Sequence, residues 1–143
     1  MAFVRDEGSV YNAPIDTVWK FLGASDQHAE AHRHRNVERK ELPGNSGEYS
    51  WEQDFEGRSE RFTMRWHAFP TFGIAYEVTA GPFVGSTFFV YYRARGDKTR
   101  VTVVGDFASQ TIPSSRLESS VLAFLALEFE QDNAAIGKMA DAK

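Results

Sequence analysis

Cysteine is absent from this chain. Disulfide frameworks, thiolate nucleophiles and cysteine-based zinc sites are therefore excluded, and the compartment cannot be read from redox chemistry. Long apolar runs are missing too; none approaches the roughly 20 residues that a helix needs to cross a bilayer. The opening Met1-Ala2-Phe3-Val4 turns charged at Arg5, Asp6 and Glu7 before a signal-like apolar region forms, so a cytoplasmic protein is the expectation. Nor does one sign of charge dominate. A formal net charge of −4, with acids and bases interspersed, argues against a nucleic-acid partner, which selects a basic face. Arg33-His34-Arg35 with Arg39 and Lys40 is the one basic cluster; Glu38 and Glu41 interrupt it, and it reads as a solvated strand end.

Aromatic residues, by contrast, are plentiful: twelve Phe, five Tyr and three Trp require either a dense core or a cavity to line. The chain's 143 residues suffice to bury such a core without staples, and neither a repeat nor a linker divides them, so a single domain over 1–143 is expected. Phe3 to Tyr11 reads as a strand. Asn12-Ala13-Pro14 offers a capping residue and a first-turn proline, and Ile15, Val18, Trp19 and Leu22 follow at helical spacing. Gly23-Ala24 breaks that helix, and Ser25 or Asp26 is placed to cap a second one through about His32.

From Asn36 the apolar period becomes two. Strands are expected over Asn36 to Leu42, Glu48 to Phe55, Arg58 to Phe69, Phe72 to Ala80, Thr87 to Arg95 and Arg100 to Ala108, separated by short Gly, Pro and Asn turns that imply an antiparallel meander. Alternation puts Tyr49, Trp51, Gln53, Phe55, Phe62, Met64 and Trp66 on one face, and Glu48, Glu52, Arg61 and Arg65 on the other. Ser114 to about Ala140 then carries Leu117, Val121, Phe124, Leu125, Glu128, Phe129, Asp132 and Ile136 as one helical stripe, about 40 Å long. The predicted fold is α+β, with a curved antiparallel sheet of about seven strands, two short helices after the first strand and a long C-terminal helix. A twisted sheet curling round that helix leaves room for a cavity between the layers.

Three stretches resemble the START-like, or SRPBCC, superfamily, which includes polyketide cyclase-like proteins and relatives of a birch-pollen allergen. Val10-Tyr11-Asn12-Ala13-Pro14 leading into Ile15-Asp16-Thr17-Val18-Trp19 looks like its opening, Gly96-Asp97-Lys98-Thr99-Arg100-Val101-Thr102 like its late hairpin, and Ile112-Pro113 like its lead into the closing helix. The resemblance spans essentially the whole chain and implies a helix-grip architecture with an internal pocket for a lipid, sterol, polyketide or other apolar molecule. The extra motifs of the Rieske-type and other catalytic branches are missing.

Residues expected to line such a pocket are Tyr49, Trp51, Gln53, Phe55, Phe62, Met64, Trp66, Tyr76, Phe88 and Tyr92, with Phe124, Leu125, Glu128 and Phe129 from the last helix; ordinary core packing is the alternative for each. The tyrosine hydroxyls and the Gln53 amide are placed to orient a ligand's polar end. Glu128 and Asp106 are the carboxylates that burial would turn into a general acid or base. His28 and His32, at i and i+4, with His34, form the densest set of metal-type ligands. Their ordinary reading is as imidazoles at a solvated helix–strand junction, and neither a metal nor any other cofactor is assigned. Gly81 to Gly85 joins strands and lacks the context of a phosphate loop, and Ser114, Ser115, Ser119 and Ser120 have no His–acid pair to activate them. Three functions follow: carriage of an apolar small molecule, cyclase- or dehydratase-type chemistry in the same pocket, or docking of a protein partner on exposed aromatics. The oligomeric state is not legible.

Overall fold

The computed structural model describes residues 1–141. Strand β1 (Ala2–Tyr11) precedes helices α1 (Ile15–Gly23) and α2 (Ser25–Ala31). Strands β2 (Arg35–Leu42), β3 (Ser46–Phe55), β4 (Arg58–Phe69), β5 (Gly73–Ala80), β6 (Thr87–Arg95) and β7 (Lys98–Phe107) follow, and helix α3 (Ser114–Asp141) closes the chain. Every expected element is found, with ends moved by two residues at most.

The seven strands form one antiparallel sheet in the order β1-β7-β6-β5-β4-β3-β2. Hairpins join β2 to β7 in sequence, because each turn supplies the conformation that a tight reversal needs. Glu56 and Gly57, both at positive φ, make the two-residue turn between β3 and β4. β1 closes the sheet from the far side by pairing with β7, Ala2 opposite Phe107 and Tyr11 opposite Thr99.

The short helices lack the caps expected for them. Pro14 holds the N-cap of α1, while the Asn12 backbone N–H donates to Asn133 Oδ1 at 3.0 Å; Ala24, and neither Ser25 nor Asp26, holds that of α2. Packing replaces capping: Val18 and Phe21 of α1 are fully buried, and their burial stabilises by about 1.5–3 kcal/mol each.

Helix α3 lies along the concave face of the sheet. Leu117, Val121, Leu125, Asp132 and Ile136 of its stripe are buried, while Phe124, Glu128 and Phe129 are partly so. At the near end Phe55, Phe62, Phe83 and Phe124 interlock edge and face at 5.4–6.2 Å. The convex face is not uniformly wet, as strand alternation had suggested. Phe69 and Phe72 are exposed there and pack on Phe89 and Tyr91, and Phe89 covers the backbone of Gly73.

Candidate functional site

Where α3 stands off the sheet, the interior holds a chamber of about 130 Å³. Its walls come from Trp51 of β3, Phe62 and Met64 of β4, Tyr76 and Val78 of β5, Phe88, Val90 and Tyr92 of β6, and Val121, Phe124 and Leu125 of α3. Aromatic side chains on neighbouring strands stand opposite or diagonal to one another, so rings stack across the sheet: Trp51 on Phe62 at 5.2 Å and Tyr76 on Phe88 at 5.0 Å as direct pairs, Phe88 on Phe107 at 5.0 Å as a diagonal one. Leu22, His28, Tyr49, Met64 and Tyr76 also border a second, outer cleft of about 380 Å³ that Trp66, Arg39 and Glu48 help to line.

One end of the inner chamber is polar, and two helices build it. On α2 and the link after it, His28, His32 and His34 converge; on α3, Glu128 and Asp132 lie one turn apart on the same face. His32 is buried between them. Its Nε2 donates to Asp132 Oδ1 at 2.6 Å, and its Nδ1 faces Gln131 Oε1 at 2.6 Å and Glu128 Oε2 at 3.0 Å. The second Asp132 oxygen accepts from the Tyr11 hydroxyl at 3.1 Å. His28 Nδ1 stands 3.7 Å from Asp132 Oδ1, shielded from solvent, and makes no hydrogen bond among the described residues.

His34 is sandwiched between the His32 ring at 5.3 Å and the Trp51 ring at 4.6 Å. Its Nδ1 meets the Tyr49 hydroxyl at 2.9 Å, while its Nε2 is buried and unpartnered among the described residues. Gln53 stands close enough to His34 to pull weakly against the lowering of its pKa, while its Oε1 accepts from Trp51 Nε1 at 2.7 Å.

These contacts divide the three imidazoles electrically. Burial opposes a charge on His32, but the hydrogen bonds and charges of Asp132 and Glu128 outweigh it and hold the group up to about 10. Burial pushes His28 down to about 4, Asp132 pulling against it and His32 adding to it. Burial, and then the charges of His32 and His28, push His34 down to about 3. Near neutrality the site therefore holds one imidazolium locked to carboxylates beside two neutral rings. Burial raises the Glu128 carboxyl above its ordinary value, against the pull of His32. It also takes the Tyr49 phenol up to about 12.

Neither a family model nor a curated protein sequence matches the chain. Solved structures do. A START superfamily protein from Mycobacterium smegmatis superposes with a TM-score of 0.78 at 12% identity, over 96% of this chain and 98% of that one. The Zhui aromatase/cyclase from Streptomyces sp. R1128 gives 0.74 at 18% identity, over 98% and 93%. Ara h 8.0201 gives 0.74 at 12%, over 96% and 98%. The chain has the START-like helix-grip fold. At these identities the likeness speaks for architecture alone.

In this START-like frame, Tyr49, Trp51, Phe62, Met64, Tyr76, Phe88, Tyr92, Phe124, Leu125, Glu128 and Phe129 all border the inner chamber. Trp66 lines only the outer cleft, where its ring covers Gly47. Phe55 belongs to the aromatic cluster behind Phe124, and Gln53 is occupied by Trp51. Asp106 is exposed and faces away. The three histidines do not sit at a solvated junction: α2 turns them inward over α3. Tyr11 and Asp132 also line the inner chamber, though neither was singled out as a site residue. The signal that would have found the site was the pairing of two i, i+4 sets, His28/His32 and Glu128/Asp132.

Proposed function

We propose that this protein binds an apolar, ring-bearing small molecule between sheet and α3, and that His34 recognises a polar atom on it. The observation that carries the reading is His34 Nε2, a buried nitrogen with no hydrogen-bond partner among the described residues, at the polar end of a chamber whose other walls are apolar. An unsatisfied buried polar group costs about 1–3 kcal/mol, which a ligand donor or acceptor recovers. The inner chamber alone is close to the roughly 150 Å³ that accommodates one benzene-sized ring. The outer cleft extends that space for a longer molecule, and together they fall within the ~300–1,000 Å³ usual for small-molecule sites. The fold is shared with the Zhui aromatase/cyclase, which supports such use of the interior. Organic extraction and native mass spectrometry of purified protein, with titration of a naphthalene-based fluorescent probe, test the proposal. One molecule per chain, displaced by Val121→Phe, supports it; failure to take up any apolar compound sinks it.

A second reading, proton-transfer chemistry of the cyclase or dehydratase type, is favoured by a different observation. Tyr49, Glu128, Asp132 and the neutral His28 and His34 all border the same chamber. Burial raises the proton affinity of Glu128 against the pull of His32, and neutral imidazoles border the same chamber; groups of these two kinds are the ones acid–base catalysis uses. Turnover of a β-hydroxy carbonyl substrate that Glu128→Gln slows without weakening binding supports this reading. Equal loss of binding and rate argues for carriage alone.

A further inference from the structure

We propose that His28 Nδ1, His32 Nε2 and Asp132 Oδ1 form a binding site for a divalent transition-metal ion, with the side facing the chamber left open. This goes beyond ligand carriage and does not depend on it. One ligand atom from each of the three residues lies within 4.8 Å of the other two, close enough for small side-chain shifts to gather them round one ion. Their separations from the shared carboxylate oxygen are 2.6 Å for His32 and 3.7 Å for His28. Ligands about 2.0–2.2 Å from a tetrahedral zinc stand roughly 3.3 Å apart, so each nitrogen-to-carboxylate distance changes by less than about an ångström to admit it, and the His28 ring turns to set its distance to His32.

Two features beyond the donor set point to a metal. The first is His28 Nδ1, a shielded nitrogen without a partner among the described residues that stands beside the two other donors. An interior hydrogen-bond network completed for its own sake would have used it. The second is the support behind the donors. Metal-bound imidazoles characteristically pass their other N–H to a carboxylate or carbonyl, and ligating carboxylates are themselves hydrogen-bonded. His32 Nδ1 faces Glu128 Oε2 and Gln131 Oε1, which aims Nε2 at the site, and Tyr11 donates to the far oxygen of Asp132; the ion takes the place of the Nε2 proton now shared with Asp132, so its uptake releases that proton to solvent. Two imidazoles and one carboxylate suit zinc and its first-row neighbours rather than magnesium or calcium, which prefer all-oxygen shells. His28 and Asp132 also line the chamber, so a vacant coordination position there faces any bound molecule.

The test is calorimetric titration of chelator-treated, ligand-free full-length protein with zinc, paired with the visible spectrum of the cobalt-loaded form. One equivalent of zinc is expected, with cobalt bands of low-coordinate geometry and movement of the His28 and His32 ring-nitrogen NMR signals. Removing an outer-shell partner costs roughly 10–100-fold in metal affinity, so Glu128→Gln is expected in that range and His28→Ala beyond it. His28→Ala breaks no hydrogen bond of Nδ1 but leaves a gap beside Phe21 and His32, so His28→Gln, which keeps most of the volume, is measured beside it. His67→Ala, on the exposed face of β4, is expected to bind as the wild type does. No zinc uptake, uptake undiminished in His28→Ala or His28→Gln, or loss of uptake in His67→Ala overturns the site. Apolar-probe binding measured on the same metal-free samples keeps its failure distinct from that of the carrier reading.

Discussion

His32 Nε2 donates to Asp132 Oδ1 over 2.6 Å, and that contact ties α2 to α3 across 100 residues of sequence. Charged partners buried together lose more when one is removed than when both are replaced, because the survivor is stranded without water. Asp132→Ala is therefore expected to cost about 3–5 kcal/mol in urea unfolding. A double variant, His32→Leu with Asp132→Leu, is expected to recover much of that loss. If the single and double variants unfold alike, the pair is not the link between the helices.

Tyr49→Phe removes the hydroxyl that meets His34 Nδ1 and leaves the packing of the ring in place. The folded state is expected to lose about 1–3 kcal/mol, and affinity for the fluorescent probe to change with it. An unchanged affinity would show that the orientation of His34 does not matter to the ligand.

Val121 is buried on the chamber-facing side of α3, and its neighbour Leu122 is exposed. Val121→Phe is expected to fill the chamber, abolishing probe uptake at a stability cost of about 1–3 kcal/mol. Leu122→Phe is expected to leave both unchanged. Uptake that survives Val121→Phe places the ligand in the outer cleft instead.

Gly105 of β7 has no room for a side chain: a Cβ there would lie 2.4 Å from the Thr87 carbonyl oxygen and 2.5 Å from Phe88 Cα. Because those atoms are backbone, Gly105→Ala must push β6 away and displace Phe88 from the chamber wall. A loss of at least about 1–3 kcal/mol, with weaker probe uptake, is expected in thermal and binding assays.

The buried phenols make stability fall at high pH. Burial raises Tyr49 to about 12 and lifts Tyr11, Tyr76 and Tyr92 as well. The unfolded chain releases these protons near pH 10 while the folded chain keeps them. The stabilisation from keeping these neutral phenols folded is therefore whole below about pH 10 and is lost as pH rises through the folded-state values. Ultraviolet titration should show these four ionising late, together with unfolding. Ionisation of all tyrosines near pH 10 in folded protein would contradict it.

The aromatic wall was legible because strand alternation fixes which side chains share a face. Trp51, Phe62, Met64, Tyr76, Phe88 and Tyr92 needed only a period of two and a sheet with one apolar side. Gln53 and Phe55 have the same periodicity but end behind the chamber, since periodicity assigns a face and not a depth. The histidines were visible as a cluster yet misplaced, because a seven-residue helix of polar composition carries no strong facial pattern of its own. Its inward face is set by α3 beneath it.

Local chemistry, then, determined the elements, their order, the antiparallel hairpins and the apolar stripe of α3, since turns and side-chain periods act over a few residues. Tertiary structure alone decided that β1 closes the sheet against β7, that α3 stands off to leave a chamber, and that His28, His32 and His34 meet Asp132. Those outcomes depend on contacts between segments about 100 residues apart, where packing and charge pairing choose among arrangements that local spacing permits equally.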